Sequence, residues 1–264
     1  MRGKATSLAR HAFALVLFIG LFGVSAQAKD WKTVRIGMDA TYPPFESVDS
    51  KGDIIGWEVD YAKALCAKMQ VTCTFQNQDW DGIIPSLLAG KFDVILSSMN
   101  ITPARSEKVL FSNVYYATPP CFVGQAADKS NDVSPAALKG KIIGTQSSTT
   151  FAAYLAKLYP NADVKLYPGG DEPNAELANG RLDYVVEDTI VAQTFIDKSG
   201  NGCCRIVSTI KRIPEFFGPG VGAAFRKDDG DLRDMFNKAI AELDADGTYK
   251  TIEAKWFKVS IRGQ

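Results

Sequence analysis

Ala89-Gly90-Lys91-Phe92-Asp93-Val94-Ile95-Leu96-Ser97-Ser98 and Asn179-Gly180-Arg181-Leu182-Asp183-Tyr184-Val185-Val186-Glu187-Asp188 are two copies of one unit. In each, a glycine stops a helix, a basic residue follows, and an Asp stands three residues after the glycine. An apolar strand then ends in polar groups: Ser97 and Ser98 in the first copy, Glu187 and Asp188 in the second. In open α/β sheets, ligands sit at the carboxyl ends of strands. Two such units facing each other form a cleft lined by Ser97, Ser98, Arg105, Ser148, Thr149 and Asp188.

The same strand–helix alternation precedes both copies. Ahead of the first come a strand at 34–36, a helix over 59–69 with Val59, Ala62, Leu65, Cys66 and Met69 on one face, and a strand at 71–76. Asp79-Trp80-Asp81-Gly82 then opens a helix through Leu88. Ahead of the second come a strand at 141–143, a helix opened by 145–150 and running through Leu158, a strand at 164–167 and a helix over 172–178. This alternation predicts α/β layers. Thr118-Pro119-Pro120 reads as a crossing from one lobe to the other, and the glycine-rich stretch near Gly218 as the return. A strand at 221–225, an amphipathic helix over 232–243 and a short helix over 252–257 complete the first lobe. Two crossings make a hinge. The expected organisation is therefore lobe 1 from 29–117 and 219–264, and lobe 2 from 118–218.

Residues 1–28 read as a signal peptide. Arg2, Lys4 and Arg10 form a basic head, 12–24 are apolar, and Ala26-Gln27-Ala28 offers small residues for cleavage after Ala28. The apolar run is too short to span a bilayer, and Lys29 is not the Cys that lipid attachment requires. Cleavage leaves 236 residues with 27 basic and 30 acidic side chains, a net charge of −3. No basic block interleaved with aromatics is present, so nucleic acid is not an expected partner. The one histidine, His11, lies in the removed segment, which excludes His-based catalysis and His-ligated metal. No cofactor or metal is expected.

Export permits disulfides. Closing the short loop between Cys66 and Cys73 would contribute about 2–3 kcal/mol by chain entropy; two buried free thiols are the other reading. Cys203 and Cys204 are adjacent, and either a bond between them or a bond from one of them to Cys121 is compatible with the sequence. With five cysteines, at least one lacks an intramolecular partner.

The stretch Ser97-Ser98-Met99-Asn100-Ile101-Thr102-Pro103-Ala104-Arg105 has hydroxyls at a strand end and a guanidinium after a helix start near Pro103. That chemistry suits a small carboxylate. A surface arginine paired with Glu107 is the structural alternative.

Ordered motifs over 33–258 carry a family resemblance: 37–45 (GMDATYPPF), 56–60 (GWEVD), 80–87 (WDGIIPSL), 90–93 (GKFD), 97–105 and 246–249 (DGTY). The chain resembles the periplasmic solute-binding proteins of polar amino acid ABC importers, especially the lysine/arginine/ornithine, histidine and opine binders. The resemblance implies the two-lobed type II periplasmic binding protein fold, a monomer, a periplasmic location and inner-membrane ABC permease subunits as partners. It places Cys66 and Cys73 where basic-amino-acid binders carry a disulfide. Carried over by position, Arg105 holds the ligand α-carboxylate through a two-pronged contact that lysine does not reproduce. Ser98 and the Thr149 N–H share that carboxylate, with Ser97 and Ser148 beside them. Asp188 accepts the α-ammonium from the opposite lobe. Tyr42 and Trp80 sandwich the ligand's aliphatic stem, and Asp39 reaches a distal cation.

Four positions depart from the lysine/arginine/ornithine pattern: Asn100 replaces a third serine, Thr145 an apolar residue, Thr150 a glutamine and Glu187 a glutamine or similar group. Asn100 and Thr145 remain in the expected ligand set. The amino-acid frame survives, with an opine or another polar amino acid as the alternative ligand. A periplasmic enzyme of the same fold, resembling cyclohexadienyl dehydratase, would require Glu187 or Asp39 as a general acid.

Overall fold

The computed structural model describes residues 29–263; the expected signal peptide lies outside the described residues. In chain order the first elements are β1 (Thr33–Met38), β2 (Thr41–Tyr42), β3 (Glu46–Val48), β4 (Ile54–Ile55), α1 (Trp57–Met69), β5 (Thr72–Asn77), a 3₁₀ turn at Trp80–Gly82, α2 (Ile83–Leu88), β6 (Val94–Ile95), α3 (Pro103–Ser106) and β7 (Leu110–Phe111). There follow β8 (Pro120–Gln125), β9 (Ile142–Gln146), α4 (Thr150–Leu158), β10 (Asp163–Tyr167), α5 (Glu172–Ala178), β11 (Tyr184–Asp188), α6 (Thr189–Lys198) and β12 (Cys204–Thr209). The chain ends with α7 (Pro214–Phe217), β13 (Ala224–Phe225), α8 (Gly230–Ala245) and α9 (Thr248–Trp256).

Two five-stranded sheets form, in the orders β5-β1-β6-β13-β7 and β10-β9-β11-β8-β12. In each, the first three strands are parallel and the remaining two run antiparallel to their neighbours. The chain leaves the first sheet after β7, builds the whole second sheet, and returns with β13, α8 and α9. Among the described residues, no helix is long and apolar enough to cross a membrane.

The repeated unit does the same work twice. Gly90 and Gly180 stop α2 and α5 at φ 74° and 72°, a left-handed conformation that glycine adopts without a Cβ clash. The Asp three residues on holds the start of the neighbouring first strand: Asp93 accepts the Arg35 N–H at 3.0 Å, and Asp183 accepts the Ile142 N–H at 2.8 Å. The residue just before that Asp in each copy, Phe92 or Leu182, packs on a strand glycine. A Cβ on Gly37 would lie 2.6 Å from the Phe92 ring, and one on Gly144 would lie 2.4 Å from Leu182 Cδ1.

Around the first sheet the core is aromatic. Trp57 stacks on Tyr61 at 5.0 Å between centroids, and Phe45 stacks on Tyr116 at 4.7 Å. The helix expected over 232–243 is α8, which buries Leu232, Phe236, Ala239, Ile240 and Leu243. Some elements differ from expectation. The last helix starts at Thr248, because Gly247 at φ 79° ends the α8 turn and the Asp246 carboxylate accepts the Thr248 N–H at 2.9 Å. Pro120–Gln125 is not only a crossing but a central strand, paired with both β11 and β12.

Cys66 is bonded to Cys73, and Cys203 to Cys204; Cys121 is free and buried. Sheet register explains the outcome for Cys121. Cys204 lies opposite Gln125 on β8, four residues along the strand from Cys121. At about 3.3 Å per residue that is ~13 Å, beyond disulfide reach.

Candidate functional site

A cleft that opens to solvent lies between the two sheets. Asp39, Tyr42, Trp80, Ser97, Ser98, Asn100, Arg105, Thr149 and Asp188 line it, so nine of the eleven expected residues meet there. Thr145 and Ser148 do not line it. Thr145 neighbours Gln146 on β9, where successive side chains take opposite faces; its hydroxyl is buried and donates to the Val186 carbonyl at 2.9 Å. Ser148, at φ 54°, contributes its carbonyl, which accepts from Trp80 Nε1 at 3.2 Å and from Arg105 at 3.4 Å.

The strand end at Ser97–Ser98 rests on two buried glutamates. Glu58, in the first turn of α1, accepts the Ser98 N–H at 2.9 and 3.1 Å and its hydroxyl at 3.3 Å. Ser98 takes φ 49° to make this contact. The Ser97 hydroxyl donates to Glu46 at 3.0 Å and accepts the Asp39 N–H at 2.8 Å. Burial, together with the neighbouring acid, holds the Glu46 carboxyl well above the usual carboxylate range. Burial also raises Glu58, while hydrogen bonds from Tyr115 and Ser98 oppose that shift.

Arg105 follows from α3, whose N-cap Thr102 accepts the Arg105 N–H at 3.3 Å. Its guanidinium donates to the Asn100 carbonyl at 2.9 Å and lies over the Trp80 ring, 5.2 Å from the centroid. Burial lowers its pKa to about 10, so it stays charged at neutral pH. The surface pairing with Glu107 is not formed, and no carboxylate among the described residues lies within ion-pair distance of Arg105. Facing it is the start of α4, capped by Thr149, whose hydroxyl accepts the Ala152 N–H at 3.2 Å. A guanidinium without an acid partner beside a helix N-terminus is an anion site.

Asp188 ends β11 and caps α6. It accepts the Ile190 N–H at 2.8 Å and the Thr118 hydroxyl. Burial raises its carboxyl to about 6. Asp39 is likewise raised to about 6 by burial, against hydrogen bonds from Gln146 and Thr41 that favour the anion. Gln146 Nε2 reaches Asp39 Oδ2 at 2.6 Å from the second sheet. Both acids are charged at neutral pH and suit cationic groups. Glu187 does not line the cleft: its carboxyl accepts from Asn174 at 2.9 Å, and burial raises it to about 8.

Sequence reasoning missed Glu46, Gln146, Thr150, Phe151, Arg212 and Phe217 as lining residues. Gln146 stands next to the expected Thr145, so strand alternation was the available signal. No motif marks Arg212, which adds a second cation to a cleft whose charges had been assigned to Arg105, Asp39 and Asp188.

The model of the bacterial extracellular solute-binding proteins, family 3, matches residues 34–259. The chain belongs to that family. This family 3 protein is 36% identical over 260 residues to the lysine/arginine/ornithine-binding periplasmic protein of Escherichia coli, covering 96% of this chain and 99% of the relative. It is 40% identical over 235 residues to the L-arginine-binding protein of Pseudomonas aeruginosa, covering 88% and 90%. Its fold superposes on an ancestral arginine-binding protein bound to arginine with a TM-score of 0.79 at 36% identity, over 86% of this chain and 98% of that one.

Proposed function

We propose that this protein is the periplasmic binding component of an ABC importer for a basic amino acid of the lysine, arginine, ornithine or histidine type. The observation that carries this reading is the division of charge across the cleft. Arg105 and the α4 N-terminus lie at one place for an α-carboxylate, Asp188 offers an anion to the α-ammonium, and Asp39 lies beside Tyr42 and Trp80 for a distal cation. Contacts from both lobes favour the closed form, and closure is the signal read by permease subunits in the membrane. Export by the segment 1–28, cleavage after Ala28, a monomeric state and a hinge between lobe 1 (29–117 with 219–264) and lobe 2 (118–218) belong to the same proposal. Thr145 and Ser148 act from behind the cleft wall rather than as side-chain contacts.

Isothermal titration of the mature protein with arginine, lysine, ornithine, histidine, glutamine and representative opines tests the reading. Tight binding of basic amino acids, lost in Arg105→Ala, supports it. Preference for an opine would replace the ligand class while keeping the transport role, and binding of none would reject it.

A further inference from the structure

Asn100 lines the cleft, yet both ends of its carboxamide are already engaged by protein. Oδ1 accepts from Arg212 at 3.1 Å, and Nδ2 donates to Thr150 Oγ1 at 3.3 Å. Asn100 follows β6 of the first sheet, whereas Thr150 opens α4 and Arg212 follows β12 of the second. The bonds therefore cross the cleft. The Arg212 guanidinium also gathers both chain crossings: it donates to the Thr118 carbonyl at 2.7 Å on one, and to the Phe217 and Gly218 carbonyls at 2.5 and 3.4 Å on the other. On the opposite side, Arg105 holds the Asn100 carbonyl at 2.9 Å.

One N–H and one lone pair of the carboxamide remain free, but its plane is set by these two bonds to the opposite side of the cleft. What it does contribute exists only when the lobes are together. Asn100 and Thr150 are bonded directly to each other across the cleft. We propose that Asn100, Thr150 and Arg212 form a ligand-independent clasp that raises the closed population and thereby scales affinity for every ligand alike. Apparent affinity is the intrinsic affinity multiplied by the fraction of molecules in the binding-competent state. Asn100 is thus a positioning residue for closure, with ligand choice left to Asp39, Tyr42 and Trp80. The inference uses the two-lobe closure of the proposed function but not the identity of the ligand.

The test combines small-angle scattering of the unliganded protein with titrations of three ligands differing in charge: arginine, ornithine and glutamine. Asn100→Ala and Thr150→Val are expected to enlarge the unliganded radius of gyration and, within each variant, to weaken all bound ligands by a common factor, roughly threefold to tenfold for each lost hydrogen bond. The double variant should lose no more than Asn100→Ala alone, which already removes both bonds, and Thr150→Ser, which keeps the acceptor, should behave as wild type. An unchanged unliganded radius, or losses that differ from ligand to ligand, would overturn the clasp. If no amino acid binds, the proposed function fails while the scattering comparison still decides the clasp.

Discussion

Gln146 Nε2 donates to Asp39 Oδ2 at 2.6 Å, joining the side-chain end of the cleft across the two sheets. The other oxygen of Asp39 accepts from the Thr41 hydroxyl at 3.0 Å. Asp39 is therefore held in place, and the two neutral donors partly offset the burial that raises its carboxyl to about 6; the proposed role is to meet a ligand cation. Asp39→Asn should weaken arginine and ornithine by roughly 10- to 100-fold, the value of a hydrogen bond to a charged group. Glutamine affinity should change little. Parallel calorimetric titrations measure the ratio, and an equal loss for charged and neutral ligands would refute the assigned role.

Arg105→Lys tests whether carboxylate capture needs the planar fork. Lysine keeps the charge but cannot bond the Asn100 carbonyl, lie flat over Trp80 and present two parallel donors at once. Affinity should fall at least tenfold, with the melting temperature of the unliganded protein little altered. A lysine variant with wild-type affinity would reduce Arg105 to a point charge.

The buried acids give opposite pH trends for stability and binding. Asp39 and Asp188 are raised to about 6 and Glu187 to about 8, with Glu46 and Glu58 raised as well, all first by burial. Carboxyls with raised folded-state values bind protons more tightly in the native state than in the unfolded chain. Their contribution to stability is present in full below the unfolded values near 4 and is lost as pH rises through 6 to 8. Lowered acids such as Asp93 are ionised in both states over that range and do not offset the trend. Unliganded protein should therefore melt higher at pH 5 than at pH 8. Arginine affinity should instead fall below pH 6, as Asp39 and Asp188 lose charge. Differential scanning fluorimetry with and without arginine across this range reads both slopes.

Gly37→Ala probes the packing that the repeated unit requires. The new Cβ would lie 2.6 Å from the Phe92 ring, which is fully buried. Overpacking of this kind costs about 1–3 kcal/mol and should lower the melting temperature by several degrees. Gly140→Ala, with open space around its position, is a useful contrast in which only the left-handed backbone is strained.

Much of the fold was readable because the chain writes one unit twice. Gly90 with Asp93, and Gly180 with Asp183, fix a helix stop and a strand start through local backbone chemistry that needs no tertiary knowledge. Ser97, Ser98 and Asp188, which line the cleft, end the two copies of that unit. What was hidden depends on direction and distance. Thr145 and Gln146 are neighbours in sequence, and only the strand's facing sends Gln146 into the cleft and Thr145 behind it. Arg212 comes from an irregular segment after β12, so its arrival beside Asn100 is set by sheet register and by two chain crossings. The fate of Cys121 was likewise decided by register, four residues along β8 from the nearest cysteine.

The central claim is that Arg105 and Asp188, supplied from the two sheets, together hold the frame of a basic amino acid. The most direct measurement is calorimetric titration of arginine into the wild type, Arg105→Ala and Asp188→Asn. The expected result is one tight site per chain in the wild type, no detectable binding in Arg105→Ala, and a large loss in Asp188→Asn. Undiminished arginine binding by either variant would contradict the account.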